Sequence, residues 1–433
     1  MNIVNNPTEE EWERLTERPD FDDSAIEARV RDIISQVRTG KDAALKRLAK
    51  EIDKVDLDDL EVSSGEYEQA CKNVKLAVRD AIKTAIRNIT AFHEAQKFDG
   101  IEVETSPGVK CWQKAVPIDR VGLYIPGGTA PLFSTVLMLA IPARIAGCRE
   151  VIICTPTGKN GAVAPEVLFA ARECGVDHVY KVGGSQAIAA MAYGTETIGK
   201  VDKIFGPGNR YVAKAKRIVS NDRVAIDMLA GPSEVMVIAD DNADPSFVAS
   251  DLLSQAEHGP DSQVFLICGS GSFAEKVTRE TERQLAALPR KEIAAKALES
   301  SHIVVMDKED DRIALANMYA PEHLIISVDD PWKVADRITA AGSIFLGSYS
   351  PESAGDYASG TNHTLPTSGT AVASGGVNLD SFIRKITYQQ LSRTGLENLS
   401  GTITAMAEAE GLQAHANAVK IRIGAADANA GRK

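Results

Sequence analysis

Cysteine is scarce and unpaired in this chain. There are six in 433 residues (Cys71, Cys111, Cys148, Cys154, Cys174 and Cys268), with no Cys-x-x-Cys step. Such scatter offers neither a disulfide framework nor a thiolate zinc knuckle. Cys154 and Cys268 close the apolar runs 151–154 and 265–268, where a thiol acts as a small hydrophobe of a reducing compartment. An excess of positive charge is also missing. With 48 Lys and Arg against 60 Asp and Glu the net charge is −12, which argues against nucleic acid or an anionic membrane as the main partner. No long apolar run is present: the stretch 131–147 is interrupted by Pro142 and Arg144 and is not expected to span a bilayer. The first residues, Met-Asn-Ile-Val-Asn-Asn-Pro, lead straight into acidic ones, so no secretory signal is expected. The expectation is a soluble, cytoplasmic protein.

What is present is a globular composition, 44% hydrophobic and 25% charged, in a chain long enough for about two to four domains. Residues 24–98 read as helical. Ser24 and Glu27 have capping-box spacing, Ile26, Val30, Ile33, Ile34 and Val37 form one stripe, and Gly40 ends the helix. A second stripe runs through Val74, Val78, Ile82, Ile86, Ile89 and Phe92; His93 beside it reads as a packed histidine. From about 118 the period changes. Apolar runs at 121–125, 151–154, 178–182 and 203–205 end in glycine or proline turns and alternate with helical patterns. This β–turn–α repetition predicts a parallel sheet with helices on both faces. A second such set begins near 234, with strands at 235–239, 263–268, 302–306, 323–327 and 343–346 and helices at 272–287 and 331–340. Residues 350–380 form a Ser/Gly/Thr-rich loop long enough to suggest function, and 388–416 read as helix before a polar tail.

Four separated polar stretches then draw together. They are residues 254–261 (SQAEHGPD), Pro321-Glu322-His323, residues 352–357 (ESAGDY), and Glu410 with His415. They contain three of only seven histidines, plus carboxylates and amides but no thiol. Imidazole with oxygen donors suits a divalent metal left open to substrate, whereas closed structural zinc sites favour thiolate. A neighbouring Glu-His pair adds acid–base capacity. Each stretch alone has a bland reading. A histidine in the last helical turn suits the helix dipole, and Gln255 and His258, three apart in a helix stopped by Gly259-Pro260, commonly mark a solvated face. Glu322-His323 could be a surface turn, Asp356 an N-cap, and Glu410 and His415 an exposed helix face. The glycine turns do not fit Gly-x-Gly-x-x-Gly, and no acidic residue stands about 20 residues on to hold a ribose. From the residues alone the reading is an α/β enzyme with an O/N-ligated metal and no assigned reaction.

Taken in order, the segments 121–140 (VGLYIPGGTAPLFSTVLMLA), 201–209 (VDKIFGPGN), 230–235 (AGPSEV), 251–263 (DLLSQAEHGPDSQ), 321–326 (PEHLII) and 350–367 (SPESAGDYASGTNHTLPT) resemble the histidinol dehydrogenase family. The resemblance covers nearly the whole chain, apart from about the first 20 residues and the tail beyond 424. It implies oxidation of L-histidinol to L-histidine through a bound aldehyde, with two NAD and one zinc per chain. On this sequence the implied metal ligands are Gln255, His258, Asp356 and His415. Implied substrate contacts are Ser233, Gln255, His258, His323, Asp356, Glu410 and His415; the catalytic pair is Glu322 and His323. Tyr124, Gln186 and Asn209 match the NAD contacts, and His363 receives no role. The implied fold is two incomplete Rossmann-like parallel-sheet domains with small helical N- and C-terminal segments, in a homodimer whose sites are shared. The expected division is 1–23 (N-terminal helical), 24–117 plus 234–375 (metal and catalytic), 118–233 (NAD) and 376–433 (C-terminal helical, dimerisation). Competing readings are a dehydrogenase of another amino or sulfo alcohol, a zinc hydrolase and a non-catalytic two-lobed binding protein.

Overall fold

The computed structural model describes residues 1–18, 24–127, 131–222, 224–228 and 231–430, the last six of these by backbone alone. Gly128 of the first glycine turn, residues 19–23 of the expected N-terminal segment, Ala230 and the last three residues of the tail lie outside the described residues. In chain order the strands are β1 (Asn2–Asn5), β2 (Ile101–Ser106), β3 (Val109–Pro117), β4 (Arg120–Tyr124), β5 (Glu150–Cys154), β6 (His178–Tyr180) and β7 (Lys203–Phe205). They continue as β8 (Ala225–Ile226), β9 (Glu234–Ala239), β10 (Gln263–Cys268), β11 (His302–Val305), β12 (His323–Ser327), β13 (Ser343–Leu346) and β14 (Ile383–Leu391).

The chain forms two compact units, one of residues 1–96 with 118–382 and the other of 97–117 with 383–433. The larger unit holds both parallel sheets. The first has the order β6-β5-β4-β7-β8, so its direction of winding reverses between β4 and β7. The second has the order β1-β11-β10-β9-β12-β13, with every neighbour parallel. Its central strands β9, β10 and β12 are buried throughout, which is why they read as unbroken apolar runs rather than alternating ones.

Several expectations are corrected. The opening residues, expected to be helical, first make the edge strand β1 and only then the helix Glu9–Thr16. Helix Ser24–Leu48 breaks at Lys41 (φ 48°, ψ −133°), as Gly40 foretold, and runs on into a π-helical turn, Ala49–Asp53, after which residues 54–63 separate it from helices Ser64–Asn73 and Leu76–Glu94. These helices, grouped by sequence with the second sheet, pack on the first. Val30, Ile33 and Val37 lie in one core with Ile188, Met191 and Val212, and Ile82 and Ile89 in another with Val121 and Leu139. An apolar stripe shows that a helix has a partner, not which partner, and each buried side chain contributes about 1.5–3 kcal/mol wherever it docks. In the smaller unit, residues 388–391 are strand rather than helix: β14 pairs antiparallel with β3, and β3 with β2. Helices Arg393–Ala409 and Gln413–Ala430 follow. Within the 350–380 loop lie the short α-helix Glu352–Tyr357 and a 3-10 turn at Thr370–Val372. Helix Pro331–Ala335 is half the length expected for 331–340.

Candidate active site

The site forms where strands of the second sheet begin. Helix Pro245–Ala256 starts at the Asp244 cap, whose carboxylate accepts from the Ser246 N–H. It runs back along β9 and delivers Gln255 in its last turn to the amino end of the sheet. β12 begins at His323, so the tight turn before it places Glu322 and His323 side by side there. Asp356 comes from helix Glu352–Tyr357, beyond β13. Tyr124, Gln186 and Asn209 lie beyond the carboxyl ends of strands of the first sheet, whereas this site lies at the amino ends of the second.

His323 is the centre, only 3% exposed. Its Nε2 lies 3.4 Å from Asp356 Oδ1 and its Nδ1 3.6 Å from Glu322 Oε2. Nδ1 also faces Gln255 Nε2 at 2.8 Å and the Glu234 carbonyl oxygen at 3.2 Å. One contact is a donor and the other an acceptor, so a single ring nitrogen satisfies them in turn: the carbonyl when Nδ1 carries a proton, the amide when it does not. Glu322 Oε2 accepts from the Glu234 N–H (2.9 Å). Glu352, 1% exposed, accepts at Oε1 from Ser254 Oγ (2.6 Å) and so ties the Asp356 helix to the Gln255 helix.

Electrostatics follow from this crowding. Burial opposes charge on His323, but Glu322, Asp356 and Glu352 outweigh it and hold the imidazole well above its ordinary pKa. Burial pushes the Glu322 carboxyl up. It pushes Glu352 to about 8 and nearby Asp251 to about 7. Burial opposes ionisation of Asp356 too, yet the imidazole of His323, 3.4 Å away, keeps that carboxylate low.

Four buried polar atoms on these residues have no hydrogen-bond partner: Gln255 Oε1, His323 Nε2, Glu352 Oε2 and Asp356 Oδ1. Buried polar atoms are normally satisfied, so orphans gathered around one imidazole mark a place for a ligand. Oxygen and nitrogen donors without sulfur fit a divalent cation, and Gln255 and Asp356 each offer one free oxygen. Among the described residues, however, no group of three or more His, Cys, Asp or Glu side chains is arranged as a metal centre.

The other sequence candidates fall as follows. His258 lies just past the helix end, two residues beyond Ala256, exposed at the rim; surrounding protein lowers its pKa while the Asp356 charge raises it. Ser233 is half-buried just before β9 and its carbonyl accepts from the Gln263 N–H. Tyr124 ends β4, and its hydroxyl accepts from the Gly184 N–H (3.1 Å). Gln186 is buried in helix Gly184–Tyr193, and Asn209 caps helix Arg210–Ser220. Glu410 and His415 belong to the smaller unit, where both are exposed. His363, left without a role, joins the two sheets. Its Nδ1 is 2.9 Å from the Asp356 carbonyl, and its Nε2 is 3.3 Å from Thr135 Oγ1, on the helix that follows β4. Glu234 and Arg18 were missed. A carboxylate heading the apolar run VMVIA was the available signal, because a charge there needs a partner.

The fold and this site define an α/β protein with a buried cluster of acid–base groups. The histidinol dehydrogenase family model matches residues 16–423. A histidinol dehydrogenase of Bacteroides fragilis is 55% identical over 423 residues, covering 98% of this chain and 99% of that protein. One from Escherichia coli is 51% identical, over 97% of each chain. The crystal structure of histidinol dehydrogenase from Elizabethkingia anophelis superposes with a TM-score of 0.96 at 50% identity, over 99% of both chains. An acetylating aldehyde dehydrogenase from Geobacillus thermoglucosidasius, at 14% identity and TM-score 0.50, shares the fold only. The chain belongs to the histidinol dehydrogenase family. It is therefore an NAD-dependent oxidoreductase of the last step of histidine biosynthesis.

Proposed function

We propose that the chain carries out a four-electron oxidation, L-histidinol to L-histidine, at a zinc-bearing site shared between the two chains of a cytoplasmic homodimer. The observation that carries the reading is the meeting of Glu322, Gln255 and Asp356 on His323, with unsatisfied atoms on three of these four residues. Gln255, His258 and Asp356, with His415 of a second chain, would hold zinc. When bound, zinc supplies a Lewis acid that fixes the amino alcohol, and each of two NAD accepts one hydride. Tyr124, Gln186 and Asn209 contact the dinucleotide, and Ser233, His323 and Glu410 help orient the substrate.

In its neutral form, which the surrounding carboxylates confine to higher pH, His323 takes the alcohol proton in the first half-reaction, its ring oriented by its contacts at both nitrogens. The aldehyde stays bound, because a free aldehyde is lost to side reactions. Glu322, made more basic by burial, removes a proton from the water that adds to the aldehyde, and His323 acts again as base when the hydrate is oxidised. The experiment is chelation followed by metal return. Chelation abolishes turnover, zinc or manganese restores it, and His258→Asn loses zinc and rate together; full activity of a metal-free preparation contradicts the reading.

A further inference from the structure

Both members of the catalytic pair meet the backbone of one residue, Glu234, whose N–H binds Glu322 and whose carbonyl faces His323. Glu234 is itself held. Arg18 grips its carboxylate through two nitrogens, Nε to Oε1 at 2.7 Å and Nη2 to Oε2 at 3.0 Å. The same Nη2 donates to the Tyr319 carbonyl at 2.6 Å, and the guanidinium lies 4.0 Å from the centre of the Tyr319 ring. Tyr319 ends the helix Glu309–Tyr319 and is followed by Ala320 in the left-handed region (φ 49°) and then by Pro321-Glu322-His323. One guanidinium thus pins both the strand start that carries the binding backbone atoms and the turn that presents the pair. The Ser368 N–H shares Glu234 Oε1 (2.9 Å), and Tyr319 Oη donates to Gln263 Oε1 (2.8 Å), which closes the network. Glu234 is 2% exposed, so its charge needs this partner.

We infer that Arg18 and Glu234 are positioning residues for the oxidation: the clamp sets the distance between the Glu234 backbone and the Glu322–His323 pair, and through it the rate of proton transfer. The inference rests on the catalytic roles proposed above. Lysine does not replace the fork, because one ammonium cannot meet two carboxylate oxygens and a carbonyl in the same plane.

The test uses the zinc-loaded enzyme with saturating L-histidinol and NAD. Displacement of a reacting group by about 1 Å costs up to about 100-fold. Arg18→Met is therefore expected to lower kcat by about 10- to 100-fold, with both KM values within about threefold and zinc content unchanged. Arg18→Lys should fall between it and the native enzyme, and added guanidinium should restore part of the Arg18→Met rate. A folded Arg18→Met with kcat within twofold of native, or one whose kcat falls only in proportion to lost zinc, overturns the inference. If Arg18→Met does not fold, Glu234→Gln, which keeps the backbone contacts and loses the ion pair, is judged by the same criteria. Native rates in His323→Asn, measured alongside, would instead remove the catalytic reading on which the clamp depends.

Discussion

Replacing Glu322 by glutamine separates the two half-reactions. The substitution is isosteric, and the amide oxygen can still accept from the Glu234 N–H at 2.9 Å, so the cost to folding stays near that of one altered hydrogen bond, about 1 kcal/mol. What disappears is a basic carboxylate made more basic by burial. General-base assistance is worth about 10²- to 10⁴-fold, or about 3–5 kcal/mol of barrier, and only addition of water to the aldehyde uses this base. His323 keeps its Gln255 and Asp356 contacts, so alcohol oxidation should slow by no more than about tenfold. The carboxylate 3.6 Å from Nδ1 is, however, one of the charges that raise the imidazole pKa. Its removal lowers that pKa, and the acid limb of the first half-reaction moves to lower pH. The assay is single-turnover NADH absorbance, started once with L-histidinol and once with L-histidinaldehyde. Glu322→Gln should give one fast NADH from histidinol and a slow second, whereas His323→Asn should slow both by about 10²- to 10⁴-fold. Equal slowing of both half-reactions in Glu322→Gln would refute the division of labour.

Two further outcomes follow. Mixing inactive His258→Asn with inactive His415→Asn, with subunit exchange verified by mass, should return about a quarter of native activity, since half of the dimers are hybrids with one intact shared site each. Recovery of none would place each site within one chain. Asp251, whose burial lifts its pKa to about 7, holds its proton in the folded state while the unfolded chain ionises near pH 4. The folded state therefore binds the extra proton, and stability falls as pH rises from about 4 to 7. Asp251→Asn should raise Tm by about 2–4 °C at pH 8 and leave it unchanged at pH 4, read by calorimetry; an equal shift at both pH values would show that the buried carboxyl does not titrate as described.

Apart from the short edge strands β1 and β8, the strands of the two large sheets were legible because buried parallel strands are apolar without alternation and end in glycine or proline, as in 151–154 and 263–268. The antiparallel strands were not. Ile101–Ser106 and Ile383–Leu391 are largely exposed, and in β14 Gln389, Gln390 and Leu391 are residues that also suit a helix, so the reading of 388–416 as helix started too early. The four-residue β1 gains its structure wholly from pairing with β11. In the site, Glu322 and His323 were visible as a polar step before an apolar strand, and Gln255 as part of a helix end. Glu352 shows no sign of its role in the sequence, since its tie to Ser254 spans 98 positions that no local pattern links. His363 and Arg18 make still more distant contacts, at separations of 228 and 216 residues.

The measurement that bears most directly on the central claim is the number of NADH formed per L-histidine when L-histidinol is oxidised by the zinc-loaded enzyme. The account predicts two, with no aldehyde released into solution. A count of one with free aldehyde, or no NADH at all, would contradict it.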